Sequence, residues 1–114
     1  MATFSKVKLS ASTNGAPVLV AQTSTAGTLI HTASSTATDE IWLYAHNNHT
    51  SDVLLTVEFG GATVPNNLIS LTVNYKSGLA LVVPGLILSG GLTVRAFAAT
   101  TNVITISGYV NRIT

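Results

Sequence analysis

Three histidines and four carboxylates are all that this 114-residue chain offers for proton chemistry or metal binding. His46-Asn47-Asn48-His49 comes closest to a ligand pair. Two imidazoles three apart can share one side of a helix, but this pair straddles an expected strand end and turn, and no third ligand follows. An ordinary polar turn is expected there. His31 lies between Ile30 and Thr32 in a strand, where a hydrogen-bonded or interface histidine is expected rather than a catalytic base. A Ser-His-Asp hydrolase presents its nucleophile on a strained turn such as Gly-x-Ser-x-Gly, and no such pentapeptide occurs. Glycoside cleavage needs two carboxylates facing across a cleft. Asp39 and Glu40 are adjacent, so a strand would send them to opposite faces, and Asp52 and Glu58 stand at different heights of one hairpin arm. Without cysteine there is no thiolate, disulfide or cysteine metal site. The expectation is a non-enzyme with no catalytic residue, metal or cofactor.

The other polar features read as architecture. Gly60-Gly61 and Gly90-Gly91 lack the Lys and the helix that a phosphate-binding loop requires. Asn48-His49-Thr50 fits a glycosylation acceptor, a pattern that arises easily by chance. Trp42, Tyr44, Tyr75 and Tyr109 could make a sugar-stacking platform, but packing in the core or between subunits is the expectation. Glu58 and Arg95 are each a lone charge in a β-branched, apolar strand. An exposed strand face would explain them, and so would pairing with each other or across a subunit interface. Phe4, Trp42, Tyr44, Glu58, Arg95 and Tyr109 are the candidate interface residues.

The elements that must position these residues are strands. Val, Ile, Leu and Thr dominate, with seventeen threonines, and helix-favouring stretches are few. Alternation predicts strands over 4–9, 18–22, 28–32, 40–46, 53–59, 68–73, 92–98 and 103–110. Runs at 79–83 and 86–88 flank Pro84-Gly85, so Pro84 marks a strand end or an edge. Eight or nine strands separated by Gly, Asn, Pro and Ser turns give an all-β, antiparallel sandwich. The length holds one domain, read as an N-terminal strand or arm over 1–16 and a single sandwich over 17–114.

Charge is where the composition departs furthest from an ordinary domain. Lys and Arg total five and Asp and Glu four, 8% of the chain against about a quarter in a typical domain. No basic stripe is present for nucleic acid. The longest apolar run, Leu79–Leu88, is broken by Pro84 and Gly85 and too short to span a bilayer as a helix. Met1 to Lys6 contains no apolar segment of the secretory kind. A chain this poor in charge must present Thr, Ser and Asn to water or be covered by other chains. Both point to a subunit of an assembly.

The segments Asp39–Ala45, Val53–Gly61, Leu81–Leu88, Leu92–Ala99 and Gly108–Ile113 resemble small virion structural proteins of tailed bacteriophages, over about residues 28–113. That resemblance implies a sandwich of jelly-roll type, a homotrimer, and a decoration (cement) role on the major capsid protein. The location implied is the capsid surface, with synthesis in the host cytoplasm. It transfers no active-site residue. Residues 1–16 would be an arm that adds to a neighbour's sheet. A tail, neck or fibre-base subunit, or a carbohydrate-binding module, are the alternatives.

Overall fold

A computed structural model describes residues 2–114. Nine strands follow one another: β1 (Phe4–Lys8), β2 (Val18–Leu19), β3 (Thr28–Thr32), β4 (Thr38–Asn47), β5 (Val53–Phe59), β6 (Leu68–Val73), β7 (Ala80–Leu88), β8 (Thr93–Ala98) and β9 (Ile104–Ile113). No helix forms among the described residues. One sheet has the order β1-β9-β4-β7, with β2 also on β9, and the other has β3-β8-β5-β6. Every pairing is antiparallel. β5 pairs with β6, β4 with β7, β3 with β8 and β2 with β9. The chain is therefore one long hairpin folded back after β5, and its successive rungs fall alternately in the two sheets.

Alternation explains how these sequences become two-faced strands. In β4, burial switches at every residue, sending Ile41, Leu43 and Ala45 inward and Trp42, Tyr44 and His46 outward. Ile104, Ile106 and Val110 of β9 meet them from the same sheet. Val53, Leu55 and Val57 of β5, with Val94, Ala96 and Ala98 of β8, close the core from the other sheet. Each fully buried Leu, Ile or Val in this set contributes about 1.5–3 kcal/mol relative to exposure. The sandwich depends on this shared layer.

One detail departs from the sequence expectations. Residues 79–83 and 86–88 are not separate strands: β7 runs through Pro84 as one strand. It can do so because β7 is outermost, so the missing N–H of Pro84 breaks no interior ladder. Register slips between Ile41 and Trp42, leaving Gly85 as the extra residue of a bulge. Its φ of +78° suits glycine, and a Cβ there would lie 2.7 Å from Cζ2 of Trp42. Residues 1–16, read as an N-terminal strand or arm, contain the strand β1. β1 is paired along its length with β9, Leu9 is in the core, and the Ala11 N–H donates to the Ile30 carbonyl. Residues 4–11 therefore lie within the body of the sandwich.

Candidate functional site

The densest polar cluster lies at the inner edge of the core. Asp39 and Arg112 occupy paired positions on β4 and β9, each in phase with the inward apolar residues. Arg112 Nε donates to Asp39 Oδ1 at 2.8 Å and its Nη2 to Oδ2 at 3.0 Å, a two-pronged pair. His31, reaching across from the other sheet, completes the group at 2.8 Å from Oδ2. The Ser34 N–H also donates to Oδ2. Burial alone would raise the Asp39 carboxyl, but Arg112, His31 and the Ser34 N–H together hold it at about 2. Asp39 in turn raises the Arg112 guanidinium.

Ser10, His31 and Asp39 have the residue types of a hydrolase triad, but their hydrogen bonds rule that role out. The Ser10 backbone N–H donates to His31 Nδ1 at 3.0 Å, so the ring proton sits on Nε2 and points to Asp39. The Ser10 hydroxyl oxygen accepts the Thr32 N–H at 2.7 Å. No basic imidazole nitrogen is left to take a hydroxyl proton. The cluster ties the two sheets together.

Glu58 and Arg95 are cross-strand partners on β5 and β8, and sequence allowed an ion pair between them. Each instead binds Gly27. Glu58 Oε1 accepts the Gly27 N–H at 2.6 Å, and Arg95 Nη1 donates to the Gly27 carbonyl at 3.2 Å. Glu58 is buried and its Oε2 has no hydrogen-bond partner. Gly27 crosses so close over β8 that a Cβ would lie 2.6 Å from the Ala96 carbonyl carbon. The two lone charges hold a chain crossing.

Aromatic and polar residues gather on the outer face of β1, β9 and β4. Trp42 and Tyr109 stack with centroids 6.3 Å apart and planes 14° from parallel. Lys6 Nζ lies 4.7 Å from the Tyr109 centroid. Since β9 lies between β1 and β4, Lys6 and Trp42 cover opposite faces of Tyr109. Gly85 lies against the Trp42 ring. Glu40 Oε1 accepts from Trp42 Nε1 at 2.7 Å and from Asn111 Nδ2 at 3.0 Å, and these donors hold the Glu40 carboxyl below its usual range. A groove of about 610 Å³ runs along Lys6–Ser10 and Tyr109, and a smaller one of about 240 Å³ lies among Phe4, Glu40, Asn111 and Ile113. A sugar stacks on an open ring face, and here the faces of Tyr109 are occupied from within the chain.

Sequence reasoning thus named Trp42, Tyr109, Glu58 and Arg95, and the structure divides them between two unrelated places. Phe4 is exposed and Tyr44 half-buried on the outer face of β4. His46 donates from Nδ1 to the Gly78 carbonyl. The Asp39–Arg112–His31 cluster was missed. Its signal was present, because Asp39 falls in phase with Ile41, Leu43 and Ala45, and Arg112 with Ile106 and Val110. A charge in an inward phase demands a partner. Among the described residues, no three His, Asp or Glu gather as a metal site. Comparison with family models, curated proteins and solved structures gives no match.

Proposed function

We propose that this chain is a non-enzymatic structural subunit whose surface is completed by other protein chains. The observation that carries the reading is how polarity is distributed. Of the few charges, Asp39 and Glu58 are buried, and Arg112 and Arg95 are engaged at their sides. Meanwhile Leu79, Leu81, Leu86 and Ile87 stand exposed on and beside β7, Leu92 is exposed in the loop that follows it, and Val64 is exposed in the β5–β6 loop. A freely diffusing monomer would invert that arrangement.

Within that class, the particular role proposed is a decoration (cement) subunit of a virion capsid. Its support is the resemblance over about residues 28–113 together with the folded-back strand order of a two-sheet antiparallel sandwich. Such a subunit binds the assembled shell and not the free capsid protein, stabilising the shell by mass action, about 2.7 kcal/mol per site at 100 times Kd. Co-sedimentation with empty capsids and not with isolated tails is the expected result. Binding to tails alone would move the chain to the tail or neck, and binding to neither would end the virion reading.

A further inference from the structure

The sandwich has four strand edges, and three of them are guarded. β1 carries Lys6 and Lys8, charges that discourage edge pairing. β3 is capped by the segment after β1, through Ala11 N–H to the Ile30 carbonyl and Thr32 N–H to Ser10 Oγ. β7 contains Pro84 and two register slips. β6 has no charge, proline or bulge, and its six residues pair with β5 in unbroken register.

The direction of the free groups on β6 follows from one bond. The Phe59 N–H donates to the Asn67 carbonyl, so Glu58 and Leu68 form a pair without mutual hydrogen bonds, and Val57 and Ile69 form a bonded pair. Ile69 and Leu71 therefore bond to β5, while Ser70 and Thr72 turn both backbone groups outward. Among the described residues, the backbone bond on that side is the turn contact from the Leu68 N–H to the Pro65 carbonyl at 3.5 Å, and the Leu68 carbonyl and both groups of Ser70 and Thr72 have no backbone partner there.

We propose that a second copy of this chain pairs with the open edge of β6, antiparallel and centred on Ser70. Around such a two-fold axis the pattern is self-complementary. Ser70 N–H and carbonyl meet those of Ser70 in the copy, and the Thr72 N–H meets the Leu68 carbonyl. Side-chain phase agrees with backbone phase. Ile69 and Leu71 point into the core and are only partly buried, and the same pairing sets Ile69 against Leu71 of the other copy. Charge favours the same occupant. β6 and β7, the edge strands of the two sheets on this side, contain no ionisable residue, so two identical copies meet there without like-charge repulsion. The apolar exposure of β7 lies on the same side of the sandwich, since β4–β7 and β5–β6 are corresponding ends and Asn47 of β4 bonds Val73 of β6. This two-fold contact stands independently of the capsid reading, and it replaces the three-fold self-association implied by the resemblance.

Sedimentation equilibrium on the full chain tests the contact. The expected mass is two copies of the 11.8-kDa chain. Ser70→Pro removes an outward N–H and the 3.4 Å contact of Ser70 Oγ with Thr56 Oγ1, leaves the backbone ladder to β5 intact, and weakens dimerisation about 100-fold. Ser70→Lys, which sets two ammonium groups across the axis, does the same. Far-UV circular dichroism and a cooperative unfolding transition of the dilute variants show that each monomer is folded. A monomeric wild-type chain, a three-copy mass, or a dimer that both folded variants leave intact would overturn the proposal. Capsid co-sedimentation of the monomeric variants reads out the other role separately.

Discussion

Asp39 and Arg112 face each other across β4 and β9 as a two-pronged ion pair, with Asp39 fully buried and the Arg112 side chain 30% exposed. The asymmetry decides which partner matters. Arg112 can reach water if its carboxylate is lost, whereas Asp39 cannot. Removing the guanidinium leaves a buried anion with only His31 and the Ser34 N–H. Arg112→Ala should therefore cost about 3–5 kcal/mol, and Asp39→Ala nearer the lower end, measured by urea denaturation. Equal and small losses, under about 1 kcal/mol each, would show that the pair contributes no more than a surface contact.

The same carboxyl sets the acid limit of the fold. Its pKa falls from the ordinary 3.8 to about 2 on folding. The unfolded chain thus binds a proton more readily, and stability drops as pH falls through that window. Full stabilisation is present above about pH 4, and about 2 kcal/mol is lost by about pH 2. Glu40, lowered by Trp42 and Asn111, acts in the same direction. Urea midpoints taken between pH 5 and pH 2 should decline, and Asp39→Asn should show a shallower decline from a lower start. A wild-type midpoint flat across that range would contradict the depressed Asp39.

The strands were legible because alternation of apolar and polar or half-buried positions is a local signal, and β4 carries it without interruption. Pro84 was ambiguous for a local reason also. Proline ends interior strands but not edge strands, and edge position is a property of the sheet order. Asp39 was legible in phase, but its partners were not, since Arg112 and His31 lie 73 and 8 residues away. Glu58 and Arg95 mislead most plainly. Their register is that of a pair, yet the backbone of Gly27 comes between their roles, and nothing near Gly27 in sequence announces it.

Gly27 is where that crossing can be broken. A methyl group would sit 2.6 Å from the Ala96 backbone, so Gly27→Ala should displace the segment and cost about 2 kcal/mol. Glu58→Ala orphans the Gly27 N–H and should cost about 2 kcal/mol as well, while Arg95→Ala should cost under about 1 kcal/mol because that side chain is half-exposed. Amide hydrogen exchange at Gly27 reads the contact directly. Protection should fall sharply in Glu58→Ala and little in Arg95→Ala. Unchanged protection in both would remove Glu58 from its holding role.

Trp42 is the single tryptophan, so its fluorescence reports the outer face of β4 alone. Gly85→Ala pushes a methyl into the ring and should shift the emission, as should Tyr109→Ala, which uncovers one ring face. Lys6→Ala should leave the emission almost unchanged, because Lys6 lies on the far side of Tyr109. The occupied faces carry a further consequence for ligands. A sugar must displace Lys6 or part the Trp42–Tyr109 stack to gain the contact that stacking offers. Titration with chito- or cello-oligosaccharides should therefore leave wild-type emission unchanged. A saturable quench that appears only in Lys6→Ala would identify Lys6 as the group closing the platform, and one already present in the wild-type chain would reopen the carbohydrate reading.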